Sequence, residues 1–251
     1  MRLHISTWFA PSGLPCPICG RNAQQTDSGA VAIPIQHGEP RRILSALCFS
    51  CRRSIPWIIH PVCRICGRAE RCEDCIRRQH RSYSISRCAV RYDNQMRDWL
   101  ALYKYRGNEG VESVLAAMLA FAYERLCLST SASFDAITSV PLAPERLLDR
   151  GYNQAERLAQ RLAEWYGLNY HPMLLRLRHT EKQSLKTRRS RVTDMRGNFA
   201  AVSSDLFSGK ILLVDDVYTT GSTLDECARI LKKASQTNDS TEIYGLLWAR
   251  S

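Results

Sequence analysis

Nowhere does the 251-residue chain string together the roughly 18 apolar residues that a membrane helix needs. The nearest approach, Val114 to Leu128, is cut by Glu124 and Arg125. Met1 to Ala10 holds one early arginine and no sustained apolar run before Pro11, which is not the pattern of a secretory signal. A soluble, cytoplasmic protein without membrane insertion is therefore expected. Low-complexity linkers and internal repeats are also missing, apart from the cysteine pairs described below, which excludes a solenoid. Lysine is absent from residues 1 to 90, where 13 arginines stand against five acids. An apolar fraction of 45% is that of a globular protein.

Cysteine, by contrast, is abundant. Eight of the 11 fall into four Cys-x-x-Cys pairs: Cys16/Cys19, Cys48/Cys51, Cys63/Cys66 and Cys72/Cys75. With no export signal a disulfide framework is disfavoured, and redox motifs do not come four in a row. Paired Cys-x-x-Cys knuckles instead suit tetrahedral thiolate sites, so two zinc ions are expected, one on the first four cysteines and one on the last four. A crossed pairing stays open. Glycine after Cys19 and after Cys66 suits the tight turn of a zinc knuckle. Four thiolates and one Zn²⁺ carry −2, so two such sites bring the arginine-rich segment down to about +4. Residues 1 to 80 lack apolar periodicity, which implies a module folded around metal and not around a core. Cys88, Cys127 and Cys227 read as plain core residues.

From about Ser84 the pattern becomes strand and helix in alternation. Strands are expected at Ser86 to Tyr92, Asp135 to Val140, Lys210 to Val214 and Ile243 to Trp248. Helices are expected at Asn94 to Tyr105, along the apolar period from Val111 to Ala122, at Asn153 to Tyr166 and at Ser222 to Ala234. Such alternation implies parallel crossovers and an α/β sheet. The domains are set at 1–82 for the cysteine module and 83–251 for the α/β part.

The segment Ile211-Leu-Leu-Val-Asp-Asp-Val-Tyr-Thr-Thr-Gly-Ser-Thr223 carries the chemistry. Four apolar residues make a buried strand, and Asp215 and Asp216 follow at its carboxyl end, where open α/β sheets bind ligands. Adjacent carboxylates can accept hydrogen bonds from vicinal sugar hydroxyls or support a cation. Thr219, Thr220, Gly221, Ser222 and Thr223 offer hydroxyls, close backbone approach and the free amides of a helix start, an anion cradle. The lysine of an NTPase loop and the three glycines of a dinucleotide fold are both missing. Upstream, Ser139-Val-Pro-Leu142 leads to Arg146 and Arg150-Gly-Tyr-Asn-Gln154, whose arginines can pair phosphate oxygens. Asn153 reads as a helix cap with Glu156 completing a capping box. Residues 178 to 196 hold seven basic and two acidic residues, a loop that Arg188, Arg189 and Arg191 would draw over a bound anion.

The strand, acidic pair and Thr/Gly-rich loop resemble the ribose 5-phosphate site of type I phosphoribosyltransferases. By that resemblance Asp215 and Asp216 hold the ribose hydroxyls, Thr219 to Thr223 the 5′-phosphate, and the ligand is phosphoribosyl pyrophosphate with Mg²⁺. In purine-type relatives a carboxylate at the loop's first variable position assists the base; Thr219 stands there and cannot serve as a general base near neutral pH. The whole pattern is similar to the ComF/ComFC competence family, which includes GntX-like proteins. The cysteine pairs, Lys104-Tyr-x-Gly107, Arg150-Gly-Tyr-Asn-Gln154, Gln183 with Arg191 and Phe199, and the loop itself carry it. Asp194 and Ser190 depart from it, standing where Asn and Glu are expected. The resemblance implies a type I phosphoribosyltransferase-like open parallel sheet with helices on both faces, behind a zinc-ribbon module. It also implies a role in natural transformation, handling imported single-stranded DNA beside the uptake machinery, with Trp57 and Tyr83 as stacking candidates. The alternatives are a base-salvage phosphoribosyltransferase and a scaffold that senses the diphosphate without turnover.

Overall fold

The computed structural model describes residues 15–21, 31–78, 80–106, 109–177, 197–203, 209–235 and 240–251. Three short helices, α1 (Gly38–Ser45), α2 (Phe49–Arg53) and α3 (Glu73–Arg77), precede strand β1 (Ser86–Arg91) and helices α4 (Asn94–Arg106) and α5 (Glu109–Thr130). Then follow β2 (Ala136–Ser139), α6 (Pro144–Arg150), α7 (Gln154–Tyr166), β3 (Leu174–Arg176), β4 (Phe199–Ala201), β5 (Lys210–Tyr218), α8 (Ser222–Ala234) and β6 (Glu242–Arg250). The main sheet has the order β1-β6-β5-β2 and every pairing in it is parallel. β3 and β4 form a separate antiparallel pair.

Strand side chains alternate between faces, and β5 shows the consequence. Leu212 and Val214 join the cluster that contains α5 and α7, whereas Ile211 and Leu213 join the cluster that contains α8. Both faces are thus covered, which is why β5 reads as a continuous apolar run. The strand runs further than its apolar stretch suggests. The ladder with β6 continues to Tyr218, because backbone pairing does not require apolar side chains. The two-stranded β3/β4 unit escaped the sequence reading because three-residue strands leave too short a period to recognise.

The expectation that the cysteine-rich segment folds around metal without a core is corrected by its packing. Ile35, Leu44 and Leu47 are fully buried in the cluster that contains α5, and α1 packs on α5. The two charges that interrupt the apolar helix α5 hold this segment in place. Glu124 accepts from the backbone N–H of Gln36 at 2.8 Å and of His37 at 2.9 Å, and Arg125 donates to the Ile59 carbonyl at 2.6 Å. A bridge between Trp57 and Val90, with Ile58 N–H donating to Ala89, lays a short antiparallel stretch along the outer edge of β1. That covers an edge that would otherwise be open to pairing with another chain. The two cysteine groups fall on opposite sides of the sheet: Cys16, Cys48 and Cys51 lie in the α5 cluster, Cys66, Cys72 and Cys75 in the α8 cluster.

Leu44→Ala is accordingly expected to cost about 2–5 kcal/mol in denaturant unfolding of the metal-loaded protein. A segment held by metal alone would show almost no loss.

Candidate phosphate-ligand and metal sites

The carboxyl ends of β2 and β5 open onto a cleft of about 590 Å³. Asp215 and Asp216 line it from β5, Thr219 from the following loop, Thr223 from the start of α8, Arg146, Arg150, Asn153 and Gln154 from the α6–α7 region, Lys104 from α4 and Arg176 from β3. The cleft therefore brings the acidic pair together with both arginines singled out in the sequence. Lys104 appeared there only as part of a shared motif, and Arg176 was missed. Lys104 did leave a trace, being the first lysine of the chain after more than a hundred residues served by arginine alone. For Arg176 no local signal exists, since its place depends on the β3/β4 pair.

Two adjacent carboxylates, partly buried, cannot both ionise without help. Lys104 forms an ion pair with Asp216, each side chain being 21% exposed. Burial opposes ionisation of Asp216, but the Lys104 ammonium and the Val217 N–H at 2.7 Å hold its carboxyl below the usual range. Asp215 takes the other role. Burial and then the neighbouring Asp216 charge push it up to about 8, although it accepts the Asp216 N–H at 2.8 Å. Burial and the neighbouring charge thus favour the neutral form of Asp215, and Lys104 the ionised form of Asp216.

The loop after β5 turns at Gly221, whose φ of 79° is left-handed and which caps α8. A Cβ there would also run into the Tyr218 hydroxyl, so both the conformation and the space demand glycine. The Thr220 and Ser222 hydroxyls lie 2.9 Å apart, and Thr219 is exposed. Asn153 caps α7 by accepting the Ala155 N–H at 3.2 Å and, through its own amide, donates to the Val140 carbonyl at 3.0 Å. This fixes the start of α7 to the end of β2. Glu156, expected to complete a capping box, accepts from Gln160 at 3.4 Å. Arg150 donates to Gln154 Oε1 at 2.8 Å and stacks 5.7 Å from the Tyr105 ring, while its buried Nε has no hydrogen-bond partner among the described residues. Arg188, Arg189 and Arg191 lie outside the described residues. Of the expected stacking residues, Tyr83 is buried and bonded to the Tyr218 hydroxyl at 2.7 Å, so it cannot take a base. Trp57 packs edge-on against Phe121.

The cysteines converge as two groups, Cys16, Cys19, Cys48 and Cys51, and Cys63, Cys66, Cys72 and Cys75, with ligand atoms within 4.8 Å of one another. The crossed pairing is thereby removed. Sulfur separations of 3.6 Å for Cys19–Cys48 and for Cys66–Cys72 are close to the ~3.8 Å edge of a tetrahedron with 2.3 Å zinc–sulfur bonds. Gly20 and Gly67 take left-handed φ of 71° and 69°, and their N–H groups return to the Cys16 and Cys63 carbonyls at 2.8 and 3.0 Å. Each group contains one thiol poised for ionisation. The Cys75 thiol hydrogen-bonds to Cys66 and, against burial, lowers it to about 4, with Arg250 adding to the effect. Burial resists ionisation of Cys19, but bonds with Arg21 bring it to about 6. Both groups could hold a metal ion, and their all-sulfur donor sets are consistent with zinc.

An open parallel sheet with an acidic pair and hydroxyl-rich loop at the end of β5, joined to paired four-cysteine groups, defines a type I phosphoribosyltransferase-like domain with a zinc-ribbon-like module. No family model matches the chain. Competence protein ComFC of Bacillus subtilis (strain 168) is 30% identical over 205 residues, covering 74% of this chain and 77% of its own. The chain belongs to the ComF/ComFC family. Competence protein F of Haemophilus influenzae is 29% identical over 211 residues, 80% of this chain and 90% of its own. DNA utilization protein YhgH of Salmonella typhimurium is 28% identical over 205 residues, with 74% and 90% covered. Among solved structures, that of the allosteric regulatory enzyme of purine biosynthesis matches 55% of this chain and 26% of its own at 20% identity, with a TM-score of 0.35.

A carboxyl raised to about 8 makes the folded state bind its proton more tightly than the unfolded chain, where the value is near 4. Its stabilising effect is full below pH ~4 and is lost as pH rises through about 8. Asp215→Asn should therefore melt above the wild type at pH 8, with the gap narrowing toward pH 4 in a melting-temperature series. A gap that is constant with pH would contradict the assignment.

Proposed function

We propose that the chain binds phosphoribosyl pyrophosphate with Mg²⁺ in the cleft at the ends of β2 and β5, and acts in the cytoplasm in natural transformation, on imported single-stranded DNA beside the uptake machinery. The observation that carries the ligand reading is that Asp215, Asp216, Thr219 and Thr223 line one cleft together with four cationic side chains, Lys104, Arg146, Arg150 and Arg176. In this reading the carboxylates take the ribose hydroxyls, the loop takes the 5′-phosphate, and the arginines pair the diphosphate oxygens, for which the bidentate guanidinium is suited. Lys104 exchanges Asp216 for ligand oxygens as the anion enters. Mg²⁺ bound to the diphosphate would offset its charge.

The DNA reading draws support from the printed names of the relatives, two competence proteins and a DNA utilization protein, and from the arginine-rich segment before residue 90. Backbone phosphates bind such charge without regard to sequence. In this reading residues 1–82 form the zinc-binding module and 83–251 the ligand-binding domain. Binding without turnover is a second reading, favoured by one observation. Among the described lining residues the carboxylates are Asp215 and Asp216, both already committed to the sugar, so no further carboxylate is left to act as a base.

Calorimetric titration of phosphoribosyl pyrophosphate with Mg²⁺ into the metal-loaded protein tests the central point. Binding is expected, and Asp215→Ala and Asp216→Ala should abolish it or weaken it by at least about tenfold. Equal affinity in both variants would remove the acidic pair from the site, and release of pyrophosphate would select turnover over sensing.

A further inference from the structure

The second four-cysteine group lies directly behind the phosphate loop, and two arginines join them. Arg250, at the end of β6 with its side chain only 2% exposed, donates to Cys72 Sγ at 3.8 Å on one side. On the other it donates to the carbonyls of Tyr218 at 3.2 Å and Thr219 at 2.8 Å. Arg78 follows α3, the helix that carries Cys75 and is capped by Cys72, and donates to the carbonyls of Thr220 and Gly221, both at 3.1 Å. Four consecutive carbonyls, from Tyr218 to Gly221, thus accept from guanidiniums beside the cysteine group; those of Tyr218 and Gly221 also accept the N–H of Ser251 and of Asp225, both at 3.0 Å, so the arginines bear most on Thr219 and Thr220.

The direction of these bonds matters. A trans peptide points its N–H opposite its C=O, so drawing those carbonyls back toward the cysteine group turns the next amides, Thr219 to Ser222, the other way, the last of them onto the Thr220 hydroxyl at 3.4 Å. Successive amides facing one way are what an anion cradle requires. A buried guanidinium also needs a counter-charge. Asp74 approaches Arg250 only at 4.0 Å, whereas a metal-bound set of four thiolates carries −2 at Cys72 itself. Arg87, likewise buried, feels the Cys63 and Cys66 sulfurs, though burial lowers its guanidinium from the ordinary value.

We propose that Arg78 and Arg250 are positioning residues for the phosphate loop: anchored at the second four-cysteine group, they hold the loop's carbonyls back so that its amides face the ligand. This rests on the reading of the loop as a phosphate site.

Arg78→Met and Arg250→Met, with Arg250→Lys as the conservative variant and exposed Arg77→Met as the control, test the proposal in the metal-loaded protein. Three quantities are read: metal content, amide hydrogen exchange of the 218–223 segment, and affinity for phosphoribosyl pyrophosphate with Mg²⁺. The expected result is faster exchange in the segment and an affinity lower by about tenfold to a hundredfold in both methionine variants, with partial recovery in Arg250→Lys. Metal content and the exchange of β6 should stay at wild-type levels, and Arg77→Met should match the wild type throughout. Arg78 is partly exposed, so its variant decides the question even if the Arg250 variants fail to fold. Wild-type exchange and affinity in Arg78→Met would overturn the proposal, as would an equal loss in Arg77→Met, which would reduce the effect to bulk charge. If the wild type binds no phosphoribosyl pyrophosphate, the phosphate reading falls, and the exchange of 218–223 alone then decides whether these arginines hold the loop.

Discussion

Two carboxylates side by side at the end of a buried strand are an electrostatic liability, and the site is arranged around relieving it. Lys104 favours the ionised form of Asp216, while burial and the neighbouring charge favour the neutral form of Asp215. Without the lysine, burial would drive both toward the neutral form and the pair would lose its acceptor capacity. The elements that supply the relief come from distant parts of the chain: α4 for Lys104, the α6–α7 turn for Arg150, and β3 for Arg176. The fold earns its site by gathering these at the carboxyl edge of one parallel sheet, where strand ends and helix starts leave backbone groups free.

The same edge explains why the cysteine-rich segment is more than an appendage. Its first group packs against α5, where Glu124 and Arg125 hold the chain at Gln36, His37 and Ile59. Its second group packs on the opposite face, behind the loop that ends β5. A segment that embraces both faces and covers the β1 edge contributes core as well as candidate metal ligands. Residues 31–60 carry the apolar positions for this, Ile35, Leu44 and Leu47, but scattered among arginines and prolines. Pro40, Ile43, Leu44 and Leu47 do recur at helical spacing, but over one short stretch, and Ile35 stands outside it, so the segment's core leaves only a weak trace in the sequence.

Much else was legible, and for physical reasons. β5 and β6 announce themselves as apolar runs because both faces are covered, and α8 because its N-terminus follows Gly221 and its apolar residues recur at helical spacing. The sorting of the cysteines followed from chain separation and proved to be the spatial one. What could not be read were contacts made at long range by single side chains. Arg176 needs the β3/β4 pair, and the role of Arg250 needs β6 to end beside Cys72. Tyr83 looked like an aromatic free to stack, yet its hydroxyl closes onto Tyr218 in the interior. Exposure of a lone aromatic is decided by the fold and leaves no local pattern.

The most direct test of the central claim is a crystal structure of the metal-loaded protein grown with phosphoribosyl pyrophosphate and Mg²⁺. The account predicts the 5′-phosphate within hydrogen-bond reach of the Thr219–Thr223 amides and hydroxyls, the ribose hydroxyls on Asp215 and Asp216, and the diphosphate toward Arg150 with Lys104 released from Asp216. A ligand seated elsewhere, or a Lys104–Asp216 pair left intact beneath a bound diphosphate, would contradict it.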